Sequence, residues 1–275
     1  MKPARFDYIR ATSQSEATQA LAAEGADARV IAGGQTLVPM LSMRLARPKV
    51  LVDIMGLSDL ARIETGERSL RVGAAVRQAT LLAHPQLGRL QPLLAAALPW
   101  VGHAQTRNRG TICGSIAHAD PSAELPLVLV ALGGDVHLAK RWRQRSVAAE
   151  DFFSGLMSTA RDEDELITGV TFPVARPGQG FAFNEFGRRH GDFAITACAA
   201  VADQGGIRLA VGGVADRPIA RTWDNLYGSA LDDALNEFAH GLDARDDLHA
   251  SARLRRDLVR KLGAKTIAEA RRCLV

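Results

Sequence analysis

The stretch Ala28-Arg29-Val30-Ile31-Ala32-Gly33-Gly34-Gln35-Thr36 decides how the first part of the chain folds. Its apolar residues predict a short strand over residues 28–32, which the two glycines end. Glycine has no Cβ, so successive backbone N–H groups can approach an anion closely, and Thr36 adds a hydroxyl donor. The stretch therefore predicts either a phosphate-binding loop or an ordinary turn between a strand and a helix.

The residues on either side of this stretch predict a small βαβ unit. Ser13 and Glu16 have the spacing of a capping box that begins a helix, and Gly25 stands where that helix would end. After the glycines, a short apolar segment over residues 37–45 leads to a second strand over residues 49–54. Strand, crossover and strand in this order indicate a βαβ arrangement.

A second glycine-bearing stretch begins at Thr106 and runs Thr106-Arg107-Asn108-Arg109-Gly110-Thr111-Ile112-Cys113-Gly114-Ser115-Ile116-Ala117-His118-Ala119-Asp120-Pro121. Residues 102–119 show no helical period, so we expect a long polar loop, and such loops usually carry function. Asp120 is expected either to accept hydrogen bonds from ribose hydroxyls or to cap the next helix, with Pro121 at its first position. The two roles are compatible.

The remaining elements predict an α+β protein with a separable C-terminal domain. A linker is expected over residues 173–180, where proline and glycine cluster. Before it we predict strands over 69–75, 135–139 and 165–172, and helices over 77–84, 89–100 and 122–132. After it we predict strands over 181–186, 194–202 and 207–214, helices over 230–241 and 249–261, and a polar tail.

Composition and motifs exclude several classes of protein. The net charge of +4 over 275 residues is mild and spread out, which argues against nucleic-acid binding. The three cysteines are far apart and form no CxxC pair, so an iron–sulfur or zinc site within this chain is not expected. The chain also contains no GxGxxG, GxxxxGK[ST], HExxH or GxSxG motif. We therefore expect neither an ordinary dinucleotide fold nor a metal site.

The location of the protein is predicted from cysteine usage and hydropathy. An odd number of thiols is typical of a reducing compartment. The first residues lack an apolar signal core, and no apolar run approaches the roughly 20 residues that span a bilayer. We expect a cytoplasmic protein.

Taken together, the two glycine stretches resemble the two FAD loops of the medium subunits of molybdenum hydroxylases. This family includes the carbon monoxide dehydrogenase medium subunit and the FAD domain of xanthine dehydrogenase. The resemblance continues in the same order through four further segments and covers nearly the whole chain. Those segments are Ala149-Glu150-Asp151-Phe152-Phe153, Asp164-Glu165-Leu166-Ile167, Arg188-Arg189-His190-Gly191-Asp192-Phe193-Ala194 and Gly212-Gly213-Val214-Ala215.

The resemblance implies a fold. We expect an α+β chain with a two-lobed FAD-binding domain of the vanillyl-alcohol-oxidase-like (PCMH) type. A C-terminal domain with a small antiparallel sheet and helices is expected to follow. The expected boundaries are 1–55 for the N-terminal lobe, 56–175 for the second lobe and 176–275 for the C-terminal domain.

The resemblance also implies residue roles. Residues 30–37 are expected to line the pyrophosphate and the nearby flavin, and residues 111–115 to make the second set of phosphate or ribose contacts. Glu124 takes the acidic position on the adenosine side, and Arg188 or Arg189 a basic position near the flavin. No catalytic residue is expected. The expected cofactor-binding residues are Val30, Ile31, Ala32, Gly33, Gly34, Gln35, Thr36, Leu37, Val101, Thr106, Thr111, Ile112, Cys113, Gly114, Ser115, Asp120, Glu124 and Leu166.

One position departs from the family pattern. The second loop of the family usually carries two adjacent glycines, and here Cys113 replaces the first. Two interpretations are open: a reactive thiol close to the flavin, or a small side chain that fills buried space.

The function that the resemblance implies is electron transfer within a larger enzyme. A large partner subunit is expected to hold the molybdenum cofactor and to oxidise the organic substrate. A small partner is expected to carry two [2Fe-2S] clusters, which pass electrons to FAD on this chain and then to an external acceptor. The assembly is expected to be a dimer of such heterotrimers. The alternatives are a stand-alone flavin oxidoreductase and a scaffold that has lost its flavin.

Overall fold

The computed structural model describes residues 2–274, and its first unit is a three-stranded parallel sheet. The strands lie in the order β1-β3-β2, with β2 and β3 in parallel register. The predicted βαβ unit is confirmed, while the first strand was not predicted. The elements are β1 (Asp7–Arg10), α1 (Gln14–Glu24), β2 (Ala28–Ile31), α2 (Leu37–Ser42) and β3 (Val50–Asp53).

Helix α1 begins and ends as its sequence predicts. The Ser13 hydroxyl accepts a hydrogen bond from the Glu16 N–H at 3.1 Å, and Gly25 ends the helix at a φ of +52°. The Glu16 carboxylate reaches back to the N–H of Thr12 at 2.7 Å, one residue before the position that a capping box would give. Both ends of α1 are therefore fixed by local hydrogen bonds.

The second unit is a five-stranded antiparallel sheet in the order β4-β5-β10-β6-β7, with helices packed against it. Its central strand is buried, with Val170 and Phe172 fully inaccessible. The strands are β4 (Ile63–Thr65), β5 (Ser69–Gly73), β6 (Asp135–Ala139), β7 (Gln144–Ala148) and β10 (Leu166–Pro173), and a hairpin of β8 (Phe153–Gly155) and β9 (Ser158–Thr159) lies apart. The helices are α3 (Gln78–Leu82), α4 (Leu87–Leu90), α5 (Pro92–Ala97), α6 (Ala104–Arg109), α7 (Ile112–His118), α8 (Glu124–Leu132) and α9 (Ala149–Phe152).

Two predictions for this unit were wrong. Residues 89–100 do not form one helix, because Pro92 has no N–H to continue α4 and instead begins α5. Residues 102–119 are not a loop: they fold into α6 and α7, separated by Gly110 and Thr111. Each of these helices is two turns or less, too short to show a helical period in the sequence.

The C-terminal unit is a four-stranded antiparallel sheet covered by two helices. The three predicted strands and the two predicted helices of this unit are confirmed. Its fourth strand, β14, was not predicted. The expected polar tail is wrong, because the second helix, α11, continues to Arg272. The buried Gly263 lets this helix approach Leu209 and Leu235, which explains why a glycine sits in its middle. The elements are β11 (Gly180–Phe186), β12 (Thr196–Asp203), β13 (Gly206–Gly212), β14 (Ile219–Trp223), α10 (Gly228–Gly241) and α11 (Ala252–Arg272).

One contact joins this unit to the preceding one, and another holds its last helix on its own sheet. The N–H of Gly213 donates to the Pro121 carbonyl at 2.7 Å, so β13 ends against the turn that precedes α8. Arg255, 4% exposed, donates to the carbonyls of Ile195 and Gly213 and pairs with Asp247, which joins α11 to the sheet. Over residues 2–274, no helix is long and apolar enough to cross a membrane.

Candidate cofactor site

The two glycine stretches meet in space. A Cβ added to Gly33 would overlap the carbonyl of Arg109 and lie 2.7 Å from the Cα of Gly110. The strand that ends at Ile31 therefore delivers its glycines directly onto the turn between α6 and α7. Only glycine permits this approach, because any side chain at position 33 would occupy the space of the second loop.

The first loop presents unpaired donors. Gly34 has a φ of +70°, a conformation that favours glycine, and its carbonyl accepts from the N–H of Val38 at 3.0 Å to begin α2. Within residues 2–274, the backbone N–H groups of Gly33, Gly34, Gln35 and Thr36 donate to no protein acceptor. Gln35 and Thr36 are exposed. Successive free N–H groups at an accessible turn form the kind of concavity that binds phosphate.

The second loop is held by β-type hydrogen bonds to the segment before α3. The N–H of Gln78 donates to Gly110 at 2.9 Å, and the N–H of Ile112 donates to Val76 at 3.2 Å. Thr111 caps α7, because its hydroxyl accepts from the N–H of Gly114 at 2.9 Å. Gly114 itself is exposed. The loop is therefore held by hydrogen bonds at its base, and its backbone is accessible to solvent at Gly114.

Four of the expected cofactor-binding residues are apolar side chains that lie in the core. Val101, Ile112, Cys113 and Leu166 are between 0% and 7% exposed. The sulfur of Cys113 lies 3.8 Å from the Val72 carbonyl, and burial raises the pKa of this thiol to about 12. The structure thus favours the buried space-filler over the reactive thiol. A cofactor can meet these residues through backbone atoms.

Asp120 does not cap α8. The helix begins at Glu124 with Ala123 at the cap position. The interpretation of Asp120 as its cap, with Pro121 at the first helical position, is therefore wrong, and so is the predicted start at residue 122. The Asp120 carboxylate instead accepts from the N–H of Ser122 at 2.8 Å and closes the turn that leads into the helix. Ala119 just before it has a φ of +52°, so the chain reverses sharply here.

Glu124 is a buried carboxyl group. It is 3% exposed and stands at the first position of α8. Burial raises the pKa of Glu124 to about 7, and the carboxylate of Asp120 acts in the same direction. A buried carboxyl group is retained where something supplies it with hydrogen bonds, which fits a polar ligand.

The structure adds contacts that the sequence did not predict. Arg107 donates to the carbonyls of Val101 and Gly102, each at 3.0 Å, and so fastens the turn before α6. Gly191, at a φ of +88°, packs on His103. This second contact brings the loop between β11 and β12, with its exposed Arg188 and Arg189, next to the turn before α6. No sequence spacing marks it, because it joins distant segments.

The arrangement fits a dinucleotide such as FAD. The free N–H groups of the first loop suit a pyrophosphate, and the exposed Gly114 leaves room for it beside the second loop. The buried carboxyl of Glu124 suits neutral donors, such as ribose hydroxyls or an adenine amino group.

Comparison with known proteins identifies the family. Residues 4–175 match the model of the FAD binding domain in molybdopterin dehydrogenase. The 6-hydroxypseudooxynicotine dehydrogenase complex subunit alpha of Paenarthrobacter nicotinovorans is 38% identical over 283 residues, covering 98% of this chain and 96% of its own length. The carbon monoxide dehydrogenase medium chain of Afipia carboxidovorans is 33% identical over 239 residues, covering 84% of this chain and 83% of its own.

Solved structures agree with this fold. Carbon monoxide dehydrogenase from Hydrogenophaga pseudoflava superposes with a TM-score of 0.95 at 29% identity and covers 100% of both chains. Quinoline 2-oxidoreductase from Pseudomonas putida 86 gives a TM-score of 0.91 at 34% identity, again over 100% of both chains. The expected fold class is confirmed, and the chain belongs to the family of FAD binding domains in molybdopterin dehydrogenases.

Proposed function

We propose that this chain is the FAD-binding electron-transfer subunit of a molybdenum hydroxylase. The observation that carries the proposal is the meeting of two glycine stretches. Gly33 lies against the backbone of Arg109 and Gly110, and the N–H groups from Gly33 to Thr36 have no acceptor among the described residues. This is a cradle for a pyrophosphate, built by two segments that are far apart in sequence.

We propose that the cofactor lies across both loops. The N–H groups of the first loop hold the pyrophosphate, and the segment from Thr111 to Ser115 adds contacts from the other side. Glu124 takes the adenosine end. The buried side chains of Val101, Ile112, Cys113 and Leu166 shape the floor beneath the cofactor. When bound, FAD supplies the redox chemistry, and the protein supplies orientation and access.

The relatives support a division of labour among subunits. Several of them are named as medium chains or subunits, of carbon monoxide dehydrogenase, 6-hydroxypseudooxynicotine dehydrogenase and nicotine 6-hydroxylase. We propose that this chain works with a large subunit that holds the molybdenum cofactor and a small subunit that holds [2Fe-2S] clusters, as a dimer of heterotrimers. Within residues 2–274, no group of His, Cys, Asp and Glu is arranged to hold a metal ion.

We also propose the domain limits and the location. The three larger sheets fall one each within residues 1–55, 56–175 and 176–275, which supports those boundaries. All three cysteines are free thiols, and two of them, Cys113 and Cys198, are buried. Unpaired cysteines support a reducing compartment, and hence the cytoplasm.

Release of the flavin tests the proposal. The candidate site offers hydrogen-bond donors, and the thiol of Cys113 is buried. We therefore expect FAD to be bound noncovalently. Acid precipitation of the purified protein should leave a yellow supernatant whose flavin chromatographs as FAD. A colourless protein that stays apo after incubation with FAD would overturn the proposal, and flavin retained in the washed pellet would overturn noncovalent binding.

A further inference from the structure

The helix α2, which follows the first glycine stretch, carries a row of apolar side chains that face solvent. Val38, Met43 and Leu45 are 47%, 49% and 70% exposed, and Pro39 is exposed as well. Pro39 and Met43 are four residues apart, so they share a face of the helix, next to Val38. Leu41 lies on the opposite face and is buried. Single exposed apolar residues are ordinary, but a contiguous group of them marks a contact surface.

The turn after α2 extends this row and adds basic side chains to it. Arg44 has a φ of +59°, which is rare for a residue with a side chain, and the N–H of Leu45 donates back to Met40 at 2.9 Å. The Arg44 guanidinium donates to the Lys2 carbonyl at 3.1 Å. The Arg47 guanidinium donates to the Arg44 carbonyl, also at 3.1 Å. Lys2, Arg44 and Arg47 therefore lie together at the end of the apolar row.

The basic charge of this region is not neutralised. Between residues 28 and 52 the chain has four basic residues and no acidic one. Lys49 pairs with Asp27 at 2.7 Å, but within residues 2–274 no carboxylate pairs with the side chains of Lys2, Arg44 or Arg47. Methionine and arginine are enriched at protein interfaces. The region therefore fits a partner surface that is apolar and negatively charged.

The apolar row adjoins the loop that is proposed to hold the cofactor. The carbonyl of Gly34 accepts from the N–H of Val38 at 3.0 Å, so the row begins one helical turn from the free N–H groups of that loop. A partner that docks here lies next to the cofactor. A [2Fe-2S] cluster is negatively charged, because its thiolate and sulfide ligands outweigh the charge of its ferric ions. Position and charge both match the protein that delivers electrons to the flavin.

We propose that the apolar row and its basic neighbours, together called the α2 face, form the docking surface for the small [2Fe-2S] subunit. Apolar contacts supply the affinity, and the basic side chains orient the partner and steer its approach. The inference rests on the proposed function and deepens it, because it names the surface through which electrons reach FAD. The α2 face consists of Val38, Pro39, Met43, Leu45, Lys2, Arg44 and Arg47.

Retention of the partners in the native host tests this surface. The tagged full-length chain is expressed there as wild type, Leu45→Asp and Arg47→Glu, and the recovered complex is assayed for flavin, for iron and for each partner chain. The matched controls are Leu248→Asp and Arg253→Glu, which place the same charges at exposed positions of the C-terminal unit. Leu45→Asp should lower the recovery of iron and of the smaller chain by roughly tenfold or more, because it buries an unpaired charge in the interface.

Two further readouts belong to the same experiment. Flavin content should equal that of the wild type in every variant, because the α2 face lies outside the loop that holds the cofactor. Salt should release the smaller chain from the wild type, since it screens the attraction between opposite charges. Arg47→Glu should release it at a lower salt concentration than Arg253→Glu does.

Each outcome decides between the claims. Wild-type recovery of the smaller chain with Leu45→Asp overturns the inference and leaves the proposed function standing. Loss of the larger chain alone also overturns it, since the α2 face would then belong to the molybdenum subunit. If Leu45→Asp loses flavin as well, Arg47→Glu decides, and behaviour equal to that of Arg253→Glu at every salt concentration overturns the inference. A wild-type chain that carries no flavin, or that recovers no iron-bearing partner, overturns the proposed function itself.

Discussion

Single residues decide how closely the two loops approach, and Gly33 is the most constrained of them. Its Cα faces the Arg109 carbonyl with no room for a Cβ. The sequence predicted a glycine that lets a ligand approach the backbone. The structure shows that this glycine also lets one loop approach the other, which no local pattern reveals, because Arg109 is far away in the chain.

Gly33→Ala is expected to lose FAD and to lower stability by about 1–3 kcal/mol, the usual cost of overpacking. The added methyl group forces the Arg109–Gly110 turn away and opens the cradle. The matched control is Gly88→Ala, where an added Cβ meets nothing within 4 Å. Flavin content and thermal melting of both variants check this, and normal flavin content in Gly33→Ala would contradict the assignment of the loop.

The reactivity of the thiols follows from their burial. Burial raises the pKa values of Cys113 and Cys198 to about 12, so almost no thiolate forms at neutral pH, while Cys273 is exposed. A thiol-specific disulfide reagent should label Cys273 rapidly in the native protein and the other two only after denaturation. Rapid native labelling of Cys113 would revive the idea of a reactive thiol beside the flavin.

Glu124 makes the stability of the flavin-free chain depend on pH. Its pKa is raised from 4.5 to about 7 in the folded protein, so the folded state keeps a proton that the unfolded chain releases. Its stabilising contribution is complete below about pH 4.5 and is lost as the pH rises to about 7. Between pH 5 and pH 8 the melting temperature should fall more steeply in the wild type than in Glu124→Gln. Parallel pH profiles for the two proteins would contradict a buried, protonated Glu124.

Elements were predicted best where the chain is long and regular. The strand β6, the helix α1 and the sheet of the C-terminal unit follow apolar runs and caps that the sequence displays. The helices α6 and α7 were missed because each is short and because the turn between them is held by a tertiary hydrogen bond, from the N–H of Gln78 to Gly110. The site was predicted by motif, whereas the hydrogen bonds by which Arg107 holds the turn before α6 were not.

Helix α11 is joined to its sheet by apolar packing and by Arg255, and removing this side chain should destabilise the C-terminal unit. Arg255→Met leaves the carbonyls of Ile195 and Gly213 and the carboxylate of Asp247 without their donor. We expect a loss of about 1–3 kcal/mol in the free energy of unfolding, the usual cost of leaving buried acceptors without a donor. The control is Arg253→Met, on an exposed position of the same helix. Equal stability of the two variants in urea would show that Arg255 is dispensable.

At the scale of the whole molecule, the protein is one component of an electron-transfer enzyme. The chain holds a cradle for FAD, and its relatives are subunits of dehydrogenase complexes. When loaded with FAD, the isolated chain should be bleached by dithionite. Candidate organic substrates should leave it unchanged, because substrate oxidation belongs to the molybdenum subunit.

The most direct test of the central claim is the composition of the complex that this chain forms in its native host. The tagged chain is purified gently, and its partners, acid-released flavin, iron and molybdenum are measured together. We predict one FAD per copy of this chain, with one much larger and one smaller partner that carry molybdenum and [2Fe-2S] clusters. A chain that co-purifies with no partner, or that oxidises an organic substrate by itself, would contradict the account.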